Sequence, residues 1–216
     1  MAWMAAHTSR INFATGILIL PQHNPVICAK QVATLDYMSG GRILLGIGVG
    51  WLKEEFNALG VPFEDRGART EEYMHALRAL WTMDSPTYEG RFVSFRDAYM
   101  RPKPVRGTVP FIIGGHSKAA ARRAGRMAEG FFPARGASPE LLALVRQSAI
   151  EAGREPNAVE ITASMPEDIS LLPEMAKAGI SRILVPVTGV AGLKQIIRGP
   201  EDLKNWTDII DRHAAL

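Results

Sequence analysis

Short apolar runs separated by longer amphipathic segments constrain this chain more than any other feature. Residues 11–20, 42–48, 110–114, 130–133, 159–163 and 182–186 read as buried strands. A helical pattern follows each of them. After the first, Asn24 supplies an N-cap with Pro25 at the first helical position. That helix runs to about Met38, with Val26, Ala29, Val32, Ala33 and Met38 expected on one face, and Ser39-Gly40-Gly41 stops it. Further helices are expected near 52–59, 66–82, 117–128, 139–152 and 201–214. Strands that each lead into a helix pair in parallel through right-handed crossovers. Their near-continuous apolar character fits a sheet covered on both faces.

The segment 86–95 (PTYEGRFVSF) alternates with period two around Glu89-Gly90, the pattern of a hairpin. It is expected as an excursion over about 86–97 from a single domain spanning 1–216. Two architectures remain, an open doubly wound sheet or a (β/α) barrel. A closed barrel needs eight strands and typically about 250 residues, so counting strands in 216 residues favours the open sheet.

A chain of this length buries roughly 70% of its unfolded surface, and 47% hydrophobic with 22% charged residues is an ordinary globular balance. The single cysteine, Cys28, makes no internal disulfide; inert core packing and a reducing, cytoplasmic setting are expected. No apolar run approaches the roughly 18 residues of a membrane helix, and residues 1–9 carry no export signal. Neither a membrane nor a nucleic-acid partner is expected. The net charge of +3 is small but uneven: Arg101, Lys103, Arg106, Lys118, Arg122, Arg123 and Arg126 occur with no intervening acid. A local anion site is therefore expected.

Gly46-Ile47-Gly48-Val49-Gly50 ends a strand, where a dinucleotide fingerprint would sit, but its third glycine is missing: Trp51 and Lys53 occupy the required positions. The glycines either permit close backbone packing or let a ligand approach. Trp51, at the strand mouth, either packs in the core or walls a planar ligand. Gly114-Gly115-His116-Ser117 lies between a strand and a helix, where free N–H groups and the Ser117 hydroxyl can hold a phosphate. His116 and His23 are not assigned as bases. Glu54-Glu55 and Glu71-Glu72 are expected on solvated helix faces. No metal, serine-hydrolase or P-loop motif is present, and no metal is expected.

Taken together, TSRINFATGILILP, NPVICAKQVATLDYMSGGRILLGIGVGWLKEEF, RPKPV and VPFIIGGHSKAAARRAGRMAEGFFP resemble the bacterial luciferase-like oxidoreductases, most closely the branch using coenzyme F420. The resemblance runs from about Thr8 to about Pro186. It implies a (β/α)₈ TIM-barrel type of fold in place of the open sheet, N-terminally incomplete: about six βα units, the family's third to eighth. It places Gly16 and Ile17 at a non-prolyl cis peptide behind the cofactor ring, and Gly114, Gly115, His116 and Ser117 at the phosphate turn. Gly50 joins the expected cofactor residues, with Trp51 and Arg135 in the substrate pocket. The implied activity is hydride transfer between F420 and an organic substrate. An FMN-dependent monooxygenase or a catalytically silent flavin-binding homologue is the alternative. The catalytic acid or base is expected on a strand preceding this chain, and a homodimer would cover the exposed edge of residues 11–20.

Overall fold

The computed structural model describes residues 1–133, 136–187 and 196–213. They form two compact units, Met1–Gly114 and Gly115–Leu216.

The first unit contains α1 (Ala2–Ala6), β1 (Phe13–Ala14), β2 (Leu18–Ile19), a 3-10 turn (Leu20–Gln22), α2 (Pro25–Ser39), β3 (Ile43–Gly48), α3 (Lys53–Ala58), α4 (Arg66–Thr82), β4 (Tyr88–Glu89), β5 (Ser94–Phe95) and β6 (Phe111–Gly114). β3 is the middle strand. It pairs in parallel with β1 (Phe13 opposite Ile43), β2 (Leu18 opposite Ile47) and β6 (Leu45 opposite Phe111). The expected strand 11–20 is therefore two short pieces, because the chain bulges at Thr15-Gly16-Ile17 between them. Its first residue, Ile11, is 53% exposed and outside the ladder.

Local signals act at α2 as the sequence predicts. The Asn24 side chain accepts from the N–H groups of Val26 and Ile27, and Gly40 ends the helix at a φ of 73°. The buried face differs from the expected one, however: Cys28, Ala29, Ala33 and Asp36 turn inward, while Met38 is exposed. Asp36 decides this orientation. Its carboxylate accepts from Val105 N–H at 2.9 Å and from Ile43 N–H at 3.4 Å, tying the helix to the following strand and to the chain after the hairpin. Behind α2, Trp81 of α4 is fully buried, its indole N–H donating to Ala29 O at 3.1 Å and its ring against Phe111.

Cys28 is buried, and desolvation raises its thiol from 9.0 to about 11. The folded protein holds this proton more tightly than the unfolded chain, so the contribution is intact below pH 9 and is lost as pH rises towards 11. Alkylation of Cys28 at pH 8 is expected only after denaturant unfolding. Rapid labelling of the native protein, followed by mass spectrometry, would contradict this burial.

The hairpin is real and antiparallel, Tyr88 opposite Phe95. It is fastened by Glu72 of α4, whose carboxylate accepts from the backbone N–H groups of Arg91, Phe92 and Val93 at 3.0, 2.6 and 2.9 Å. Glu72 is thus a turn anchor and not part of a solvated face. A Cβ at Gly90 would lie 2.3 Å from Glu72 Oε1, so a side chain there would dislodge the carboxylate. Glu72→Ala is expected to cost about 1–3 kcal/mol. Amide exchange at residues 91–93 should accelerate selectively; unchanged protection there would count against the anchor.

The second unit contains α5 (Lys118–Met127), β7 (Gly130–Phe132), α6 (Pro139–Glu151), β8 (Glu160–Ser164), a 3-10 turn (Ile169–Leu171), α7 (Leu172–Lys177), β9 (Ile180–Leu184) and α8 (Pro200–His213). β8 pairs in parallel with β7 and β9. β9 begins two residues earlier than the expected 182–186. Its Ser181, Arg182 and Leu184 are exposed, so it lacks the two-sided burial that its apolar residues predict. α5 and α6 meet at Gly125, where a Cβ would stand 2.3 Å from Val145 O. Arg154 caps α5 by donating to the carbonyls of Ala124, Gly125 and Ala128. Among the described residues no helix is long and apolar enough to cross a membrane.

Candidate functional site

The carboxyl ends of β3 and β6 meet around one side chain, Ile17, in the bulge between β1 and β2. Gly46, Gly48 and Gly50 alternate along β3 and its extension, and residues two apart share a strand face. Each faces a residue of the neighbouring segment, itself spaced by two. A Cβ at Gly46 would lie 1.9 Å from Thr15 O; one at Gly48, 2.3 Å from Ile17 Cδ1; one at Gly50, 2.9 Å from Ile19 Cγ2. The bulge therefore lies directly on β3, pinned by the Thr15 hydroxyl donating to Gly46 O at 2.8 Å. Gly114, at the end of β6, makes the same allowance from the other side, 2.7 Å from Ile17 Cγ2.

Ile17 thus lies across glycines of two strands while remaining 36% exposed. The Gly16–Ile17 peptide is cis. The glycines serve close packing, and that packing leaves Ile17 partly exposed at the strand ends.

Gly50 has a left-handed φ of 80°, and its missing Cβ also leaves room for Phe56 Cε2, at 2.7 Å from the built position. Trp51 follows it and is 81% exposed, so it is not a core residue.

Gly115 opens the second unit at a φ of 136°. Its N–H is not available to a ligand, since it donates to Phe132 O at 3.1 Å. His116 and Ser117 are exposed. The Ser117 hydroxyl oxygen accepts from Ala120 N–H at 3.1 Å, capping α5 and leaving its own proton to donate. As in any helix, the N–H groups of the first turn have no intrahelical acceptor.

Several members of the basic stretch have partners of their own. Lys103 donates to the carbonyls of Leu80 and Met83, and burial, with Arg101 nearby, lowers its pKa. Arg101 lies 3.5 Å from Asp84, Lys118 pairs with Glu140 at 2.7 Å, and Arg123 is buried. His23 is exposed, and Arg135 lies outside the described residues.

A family model described as luciferase-like monooxygenase matches residues 1–180. The chain belongs to this family. A curated relative, the FMNH(2)-dependent dimethylsulfone monooxygenase of Pseudomonas putida, is 38% identical over 133 residues, covering 60% of this chain and 36% of that protein. Among solved structures, the monooxygenase RslO1 from Streptomyces bottropensis is similar with a TM-score of 0.68 and 28% identity, over 82% of this chain and 57% of that one. An F420-dependent secondary alcohol dehydrogenase in complex with an F420-acetone adduct is similar with a TM-score of 0.67 and 27% identity, over 76% and 53%. The fold is α/β of TIM-barrel type, and the chain spans 36–57% of the length of these relatives.

The glycine comb was visible in the sequence, but its partners were not. Arg66 was missed altogether. It donates from Nε to Gly50 O at 3.2 Å and from Nη1 to Phe63 O at 3.0 Å. An arginine at the first position of a helix runs against the helix dipole, and this was the signal that could have drawn attention to it.

Proposed function

We propose that this chain carries the cofactor platform of a luciferase-like oxidoreductase that uses reduced coenzyme F420 on a small organic substrate. The observation that carries the reading is Ile17, half-exposed across Gly48 and Gly114 at the strand ends. A planar ring can lie on such a face without meeting side chains from β3 or β6. Gly16, Ile17 and Gly50 are assigned to the ring. Gly114, Gly115, His116 and Ser117 are assigned to the anionic groups, with Ser117 donating its hydroxyl proton and Gly115 acting only as backbone. Trp51 offers an aromatic wall to the substrate; Arg135 is kept as a pocket residue by family likeness. When bound, the deazaflavin supplies hydride transfer at its central ring, and the protein supplies orientation and electrostatics. A homodimer covering the apolar edge of the first unit belongs to the same proposal.

One observation favours FMN as the second reading. With Lys103 and Lys118 occupied elsewhere, the turn at Ser117 suits a single phosphate better than a long polyanionic tail. Titration of the purified chain with F420 and with FMN, read by fluorescence quenching, separates the two. Binding of F420 is the expected result. Binding of FMN alone would transfer the assignment to the monooxygenase reading, tight binding without turnover would leave a silent homologue, and binding of neither would end the cofactor proposal.

A further inference from the structure

A closed circuit of contacts holds the backbone that carries Trp51. Gly50 turns with a left-handed φ and presses against Phe56, which is fully buried. Phe56 meets Phe63 edge to face at 5.3 Å. Phe63 lies beneath the Arg66 guanidinium, 3.8 Å from the ring centroid, and Arg66 returns to Gly50 through the Nε–H bond to its carbonyl oxygen. Both side-chain hydrogen bonds of Arg66 end on carbonyl oxygens, those of Gly50 and Phe63, rather than on a carboxylate.

At the first residue of α4 a cation opposes the helix dipole, and the site would be better served there by an acid. Lysine could not replace it, because one planar group must both stack on a ring and direct two N–H bonds at fixed angles. Trp51, one residue beyond the clamped carbonyl, is 81% exposed and therefore draws little orientation from packing. Its placement depends on the backbone before it.

We infer that Arg66 is a positioning residue: by clamping the Gly50 carbonyl it sets the Trp51 ring as a wall for a planar or apolar substrate. The role of that wall rests on the cofactor reading above; the clamp itself does not. The test is built to keep the two apart. Protein labelled with 5-fluorotryptophan gives fluorine signals from Trp3, Trp51, Trp81 and Trp206, assigned by single Trp→Phe variants. In Arg66→Gln the Trp51 signal is expected to shift and change width, while that of Trp81, in the core of the same unit, stays in place. Arg66→Lys, which keeps the charge and loses the fork, should resemble Arg66→Gln in the Trp51 signal and serves where the first variant folds poorly. An unchanged Trp51 signal in either variant overturns the inference, as does a common shift of Trp51 and Trp81 with loss of thermal stability.

The second arm uses F420 and FMN directly. Where the wild type binds either, kcat/KM in Arg66→Gln should fall about tenfold or more, as misplacement of a positioning group by an ångström can cause. Failure of the wild type to bind either cofactor counts against the functional proposal alone, and the fluorine result still decides the clamp.

Discussion

Gly46→Ala is expected to destabilise the first unit by about 3 kcal/mol or more, at the upper end of what overpacking costs. The added methyl would stand 1.9 Å from the carbonyl oxygen of Thr15. That oxygen belongs to backbone fixed on both sides, by the Thr15 hydroxyl bond to Gly46 O and by Thr15 N–H donating to Leu44 O. No rotamer change can relieve the clash, so the bulge must lift away from β3. At about 2–4 °C per kcal/mol for a chain of this size, the melting temperature should fall by roughly 6–12 °C. Gly48→Ala is the control. Its methyl would meet the far end of Ile17, 2.3 Å from Cδ1, and that side chain can turn aside. The stability loss there should be about 1–2 kcal/mol, but the displaced Ile17 no longer presents the same face, and binding of F420 or FMN should suffer more than stability. Parallel thermal melts and ligand titrations of the two variants check both statements. Equal melting temperatures for the two would mean that the Thr15 contact relaxes without effort.

The comb illustrates what could be read from the sequence and what could not. Glycines at 46, 48 and 50 mark one strand face on spacing alone, and the missing third glycine of a fingerprint already excluded a dinucleotide turn. Their purpose depends on Thr15, Ile17 and Ile19, some thirty residues earlier, which face them only because β1 and β2 both pair with β3. Register of that kind is a tertiary fact. The caps of α2 were legible for the opposite reason: Asn24, Pro25 and Gly40 act on neighbours within four residues. Met38 was misplaced because helical spacing alone does not say which way the helix is rotated, and Asp36 settles that through Val105, far along the chain. Glu72 looked like a surface charge and Lys103 like part of an anion site, and both instead hold backbone groups. A charged residue's type predicts exposure well; it does not predict which N–H or carbonyl will claim it.

The second large effect is expected at Arg42, which fastens α1 to β3 in the way that Arg66 fastens the Gly50 turn, through carbonyls rather than acids. Its Nε donates to Ser39 O at 2.7 Å, Nη1 to Thr8 Oγ1 and Ile11 O at 3.1 and 2.9 Å, and Nη2 to Ala5 O and Thr8 O at 2.8 and 2.9 Å. The guanidinium also lies 5.3 Å from the Phe13 ring centroid. α1 has little else to hold it, since Ala5 is its one buried residue. Arg42→Met keeps the aliphatic stem and removes every donor, leaving those carbonyls to water or to nothing. Hydrogen bonds to a charged group are worth about 1.5–3 kcal/mol each when one partner is removed, but the freed carbonyls near the surface rehydrate, so a net loss of about 3 kcal/mol is expected. Arg42→Lys should recover little, because a point charge reaches one or two of these acceptors and not the whole fan. Thr8→Val, which deletes the hydroxyl that accepts from Arg42 Nη1 and donates to Met4 O at 2.8 Å, should cost about 1 kcal/mol. Hydrogen exchange locates the effect: in Arg42→Met the amides of residues 1–12 should exchange nearly as fast as in an unfolded peptide, while those of β3 slow their exchange relative to them as before. Retained protection of residues 1–12 would mean that the Ala5 contact alone docks α1, and that the arginine fan is a consequence of the docking and not its cause.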